Sequence, residues 1–250
     1  MNNILAALTF FTRLPFWKIK QVPQESFKHL VSYWSISGWL TGGIMGLVFW
    51  LSVHALPVGA AIMLAFISRL LVTGALHEDG LADFFDGFGG GGRDRESILR
   101  IMKDSHTGSY GVLGLIVYFL LACNLLTALP ASMTPWILLG GDAWSKFTAS
   151  QLINFLPYAR KEEESKNKTV YMRMSVREIA FSAAGGVLPL LLLPPLYWAA
   201  CLLPVLTFSF LVTLFRKKLQ GYTGDCCGAT FLLCELSFWL GIVFIYYSQI

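Results

Sequence analysis

Residues 57–87 read PVGAAIMLAFISRLLVTGAL followed by HEDGLADFFDG, an apolar stretch running straight into four carboxylates within nine positions. The first part decides the fold class. Twenty residues rise about 30 Å as an α-helix, the thickness of a bilayer's hydrocarbon layer. Arg69 is the one charge in that run. Working outward, comparable apolar stretches cover roughly residues 33–53, 110–129, 134–156, 179–196, 199–215 and 229–247. Hydrophobic residues make up 55% of the chain, charged residues 14%, and mean hydropathy is +0.60, values foreign to a soluble domain. The chain therefore reads as an all-α integral membrane protein of about seven transmembrane helices, one polytopic domain over residues 1–250.

Basic residues orient the spans. Seventeen of the 19 Lys and Arg fall in four segments: the N-terminal region, 93–103, 160–177 and 216–218. These alternate with uncharged connections, the arrangement that the positive-inside rule requires of seven spans. The expectation is a multi-pass protein of the cell's inner (cytoplasmic) membrane, with the N-terminus and the loops around 77–110, 157–178 and 216–228 cytoplasmic and the C-terminus outside. The net charge of +4 is accounted for by these loops beside anionic lipid, so it does not argue for nucleic acid. Residues 1–16 are too short for a span and lack a basic leader, so the segment up to residue 30 reads as interfacial or re-entrant. Five cysteines without CxxC or Cys/His spacing suggest neither zinc nor a disulfide framework.

The acidic half of the opening stretch carries the chemistry. On a helix, Asp79, Asp83 and Asp86 stand at i, i+4 and i+7, within roughly 60° of one another. Neighbours about 6 Å apart repel by on the order of 3 kcal/mol at an effective dielectric of about 20. A cation is expected there, and Mg²⁺ accepts oxygen ligands of this kind, with waters and phosphate oxygens completing its octahedron. FGGGGRDRE follows, with Gly89 to Gly92, Arg93 and Arg95. It reads either as an anion cradle, with glycine N–H groups and arginine forks on a pyrophosphate, or as a flexible positively charged connection. Asp104 is a further candidate ligand or a surface carboxylate paired with Lys103 or Arg100. In GYTGDCCGA (221–229), Asp225 reads as a helix cap or a substrate contact. The intramembrane charges Arg69, Asp142, Lys146 and Glu235 read as the lining of a polar chamber or as helix-to-helix pairs. ARKEEESKNK at 159–168 reads as a solvated loop.

HEDGLADFFDGFGGGGRDRESILRIMKDSHTGSYG together with GYTGD, FFTRLPF and LPYARKE resembles the cobalamin synthase family, the adenosylcobinamide-GDP ribazoletransferases, over nearly the whole chain. The resemblance implies a membrane enzyme that joins adenosylcobinamide-GDP to α-ribazole or its 5′-phosphate with release of GMP, using Mg²⁺. It also implies roles. Asp79, Asp83, Asp86 and Asp104 would hold the metal; Arg93, Arg95 and Lys103 would hold the pyrophosphate; Tyr222, Thr223 and Asp225 would form a substrate edge. Asp83, Asp86 or His77 would act in catalysis, one of the carboxylates or His77 accepting the alcohol proton. His77 points roughly 160° from Asp79 on an ideal helix, so its inclusion leans on the family pattern.

Two other classes fit the residues less well. CDP-alcohol phosphatidyltransferases use Asp-x-x-Asp-Gly-x-x-Ala-Arg; Asp83 to Gly87 fits the first five positions, but Gly90 and Gly91 stand in place of Ala-Arg, and Ile98 in place of a later Asp. A transporter relay through Asp142, Lys146 and Glu235 lacks any internal repeat or broken-helix pair and leaves the acidic cluster unexplained. Lipid bilayer and small-molecule substrates are the expected partners, and homo-oligomerisation stays open.

Overall fold

The computed structural model describes residues 2–160 and 171–249. Most of the solvated loop expected at 159–168 therefore lies outside the described residues. Every apolar stretch forms helix: α1 Asn2–Phe11, α2 Trp34–Ser52, α3 Val58–Thr73, α4 Leu76–Gly90, α5 Arg95–Ile101, α6 Ser109–Thr127, α7 Thr134–Ser150, α8 Leu152–Phe155, α9 Val176–Val187, α10 Leu202–Lys218 and α11 Gly224–Tyr247. Among the described residues there is no strand. Four helical runs are long and apolar enough to cross a membrane alone: 24–52, which enters α2 through a 3₁₀ segment, then α6, 195–218 and α11. The bent pair α3 and α4 makes a fifth if counted as one span. The other two expected spans are shorter than expected. At 1.5 Å per residue α7 reaches about 26 Å and α9 only about 18 Å, because Pro189 and Pro194 convert the continuation of α9 into 3₁₀ turns.

The opening stretch is bent through 94° between α3 and α4, which corrects the expectation that the chain holds no broken-helix pair. Gly74 (φ 67°) ends α3 in the left-handed region that glycine adopts without penalty, and Ala75 (φ 56°) follows it there. The N–H groups of both reach back to the Leu70 carbonyl. The turn is fastened from outside, since Arg13 N–H donates to Val72 O at 2.7 Å and the Arg13 side chain covers Gly74. The acid cluster is thereby turned off the axis of α3 and laid against α6 and α11.

Polar side chains inside the bundle pair with one another. Arg69 on α3 donates to both carboxylate oxygens of Glu235 on α11 (2.8 and 2.6 Å) and to the Tyr118 hydroxyl (3.0 Å), with Glu78 at 3.3 Å. Lys146 meets Asp142 one turn earlier on α7 (2.6 Å), and both contact Thr41 of α2. Phe231 lies between the two groups, with Arg69 and Lys146 at 5.6 and 4.8 Å from its ring centre. These charges are fully buried and line neither of the cavities described below, so they tie helices together rather than form a polar chamber.

Candidate active site

Two connected motifs build the site. Residues 157–159 and 222 are stitched by a short parallel bridge, in which Tyr222 N–H donates to Pro157 O (2.9 Å) and Ala159 N–H to Tyr222 O (2.8 Å). The segment LPYAR thus lies beside the turn that starts α11. Thr223 is the cap of α11, its hydroxyl accepting from Cys226 N–H at 3.2 Å. That corrects the reading of Asp225 as the cap, and it leaves Asp225, in the first turn, beside a cavity. At Gly80 a side chain would meet the backbone of Asp225, so glycine lets α4 and α11 approach closely enough to share this wall.

The cavity, of about 150 Å³, is walled by aromatics from α1 (Phe10, Phe11), the start of α2 (Trp34) and the neighbouring segments (Tyr158, Tyr171), with His77, Asp79, Asp225 and Arg160 as its polar groups. Phe11 stacks on Trp34 at 4.9 Å between ring centres, and Trp34 lies 5.4 Å from His77. His77 and Asp79 both reach the cavity although they diverge around the helix, because the cavity sits at the N-terminal end of α4. A second, open groove of about 1010 Å³ is lined by Arg95, Arg100, Lys103, Asp104 and Arg160 with Glu96, Leu99 and Ala159. Arg160 borders both. Its side chain is 4% exposed, donates to Leu99 O (3.1 Å) and lies 4.0 Å from the Asp225 carboxylate. The solvated reading of this residue is therefore corrected: the stitched 157–159 segment carries it inward.

The other expected residues divide by position. Asp79, Asp83 and Asp86 keep their common face on α4, but the two ends of that face do different work. Asp79 lines the aromatic cavity, Asp83 is half-buried, and Asp86 is buried with its carboxylate accepting from Gly108 N–H (2.7 Å) and Gly111 N–H (2.8 Å) at the start of α6. Asp104 is exposed and bonded to His106 (2.7 Å) rather than to Lys103 or Arg100; that hydrogen bond holds its carboxyl below the usual range. Arg95 turns its guanidinium to the carbonyls of Leu219 (2.7 Å) and Ala159 (2.6 Å), while Arg93 is exposed and lines neither cavity. The glycine run is no open cradle, since α4 continues through Gly90, α5 packs against Gly91, and only Gly92 turns the chain with a positive φ. Tyr222 is buried against Tyr158, and burial raises its phenol pKa well above the ordinary value; neither Tyr222 nor Thr223 lines the aromatic cavity or the basic groove.

Among the described residues no three or more His, Cys, Asp and Glu side chains converge as a metal cage. The four expected ligands are thus not brought together. Asp79 and Asp225 nevertheless share one cavity wall, and Mg²⁺ commonly takes one or two carboxylates with phosphate oxygens and waters supplying the rest. The donor set suits a magnesium ion that arrives with a phosphate substrate.

The wall residues Phe10, Phe11, Trp34, Tyr158, Arg160 and Tyr171 were missed as site residues by sequence reasoning. FFTRLPF and LPYARKE signalled only a family likeness, and nothing local assigns an aromatic to a pocket rather than to a core.

The family model described as Cobalamin-5-phosphate synthase (CobS) matches residues 3–243. The chain belongs to this family. Among the relatives of this synthase-family chain, one named adenosylcobinamide-GDP ribazoletransferase from Shewanella sp. (strain W3-18-1) is 38% identical over 250 residues, covering 98% of this chain and 95% of the relative. A protein of the same name from Shewanella oneidensis is 37% identical over 241 residues, covering 94% and 91%. No solved structure matches this member of the cobalamin-5-phosphate synthase family.

Proposed function

We propose that the chain is a magnesium-dependent adenosylcobinamide-GDP ribazoletransferase, joining the cobinamide phosphate to α-ribazole or its 5′-phosphate and releasing GMP. The observation that carries this reading is the near-full-length relationship to ribazoletransferases, in a chain whose acidic cavity and basic groove share Arg160 as a wall.

In this reading a ribose hydroxyl oxygen of the acceptor attacks the phosphorus that bears the cobinamide arm. The bond from that phosphorus to the GMP oxygen breaks, and the hydroxyl proton passes to a base. Catalysis of such a transfer is largely positioning and charge control. Arg100 and Lys103 on the groove bind the pyrophosphate, and Arg160 stands at the junction to steady the charge on the reacting phosphoryl oxygens. Asp79, with Asp225 on the same wall and Asp83 one turn further along α4, would supply oxygen ligands for Mg²⁺, which when bound would neutralise phosphate charge. His77 lines the cavity in reach of an acceptor and is the candidate for its proton.

The seven-span arrangement belongs to the same proposal. Charge alternation supports seven crossings of the inner membrane, with α4, α5 and the groove on the cytoplasmic side where a nucleotide substrate is found.

Purified protein in nanodiscs, given adenosylcobinamide-GDP, α-ribazole and Mg²⁺, is expected to release GMP only when both substrates are present. Release of CMP from CDP-diacylglycerol with an alcohol acceptor, and no reaction of the cobinamide substrate, would overturn the reading.

A further inference from the structure

We infer that the aromatic cavity is the seat of the acceptor's planar base, separate from the basic groove that takes the donor's phosphates. The inference rests on the reaction proposed above and assigns its two substrates to two places.

Size gives the first argument. A cavity of about 150 Å³ is the size at which an enclosed protein cavity accepts a single small aromatic such as benzene. The volume suits one small ring system and excludes a corrinoid or a whole dinucleotide-like donor. The groove beyond Arg160, at about 1010 Å³ and open, has the dimensions and the cationic side chains for the larger, anionic partner.

The second argument is chemical. Phe10, Phe11, Trp34 and two tyrosines offer ring faces and edges, which hold a planar heterocycle by stacking and edge contacts. The lining also carries polar groups, with His77, Asp79, Asp225 and Arg160 beside the rings. A lipid acyl chain would set those groups against hydrocarbon, whereas a nucleoside with an azole-type base brings a flat ring for the aromatics and ribose hydroxyls for the polar groups. A base seated here extends its ribose toward Asp79, Asp225 and Arg160, the polar side of the cavity.

Equilibrium binding of α-ribazole to the nanodisc-embedded protein, without donor, tests the inference. Trp34→Phe keeps an aromatic side chain but removes half of the indole face that lines the cavity, and is expected to weaken α-ribazole at least about 2-fold. Leu76→Trp, a substitution at a partly exposed position of the cavity lining, is expected to fill the space and reduce α-ribazole binding at least about 10-fold. Adenosylcobinamide-GDP should bind both variants with unchanged affinity, which also reports that they fold. Unchanged α-ribazole affinity in both variants, or a loss confined to the cobinamide substrate, would overturn the inference. The two readings separate cleanly. GMP release by the parent protein with α-ribazole affinity indifferent to both substitutions sinks this inference alone, whereas substitution-sensitive α-ribazole binding without GMP release supports the pocket and sinks the proposed reaction.

Discussion

The guanidinium of Arg160 lies 4.0 Å from the carboxylate of Asp225, on the wall shared by the aromatic cavity and the basic groove. An arginine so enclosed, in contact range of a carboxylate and reaching both spaces, is well placed to exchange that partner for a phosphoryl oxygen. Arg160→Ala should lower kcat/KM for adenosylcobinamide-GDP roughly 10- to 150-fold, the scale of a lost charge-assisted hydrogen bond of about 1.5–3 kcal/mol. Arg160→Lys should recover only part, because it keeps the charge and loses the fork. Steady-state GMP release measures both.

Asp79 and Asp86 share a face of α4 but should answer differently to neutralisation. Asp79→Asn is expected to cut turnover by orders of magnitude with little change in melting temperature. Asp86→Asn removes one of the two oxygens that accept from the Gly108 and Gly111 N–H groups, so it should cost about 1–3 kcal/mol of stability. Thermal unfolding in detergent set beside GMP release separates the two. Equal melting temperatures for both variants would contradict the cap.

Arg69 and Glu235 form a fully buried pair. Arg69→Met leaves Glu235 and Glu78 inside the bundle with their cation gone, and an uncompensated buried charge costs about 3–5 kcal/mol. The double change Arg69→Met with Glu235→Leu should be less damaging than the single one. Folded yield and unfolding temperature of the three proteins provide the check.

Chelation supplies a test of the metal. Removing divalent cations with EDTA should abolish GMP release, and Mg²⁺ should restore it, while thermal stability moves little because no cage of three or more ligands ties helices together among the described residues.

Asp94 caps α5, the helix that carries much of the groove, with its carboxylate accepting from Ser97 N–H at 2.8 Å. Hydrogen bonding from Ser97 lowers its pKa below the ordinary value. A group with a depressed folded-state pKa contributes fully above its unfolded-state value and loses that contribution as pH falls through the folded-state one. Protection of the amides at the start of α5, taken relative to their intrinsic exchange rate at each pH, should therefore fall as the pH drops through the Asp94 titration. Asp94→Asn, which keeps a capping oxygen, should flatten that response.

What the sequence determined by itself is what neighbouring residues encode. Runs of apolar side chains long enough for a bilayer located the membrane-crossing helices α2, α6, α10 and α11 and the start of the bent α3–α4 pair, and the i, i+4, i+7 spacing of Asp79, Asp83 and Asp86 put them on one face, because a helix's periodicity is local. The family likeness was equally legible, being written in contiguous motifs. Only the tertiary structure decided what each member of that face does. Asp86 became a cap because the start of α6, 22 residues further on, delivers two N–H groups to it. Arg160 left solvent because the bridge to Tyr222 draws its segment inward, and the intramembrane charges met as pairs across 166 residues in the case of Arg69 and Glu235. The aromatic cavity exists nowhere in the sequence, since its walls come from α1, α2, α4, the 158–160 segment, Tyr171 and α11. Such long-range meetings depend on how helices pack and where Gly74 and Ala75 bend them, quantities that the spacing of residues along one chain does not carry.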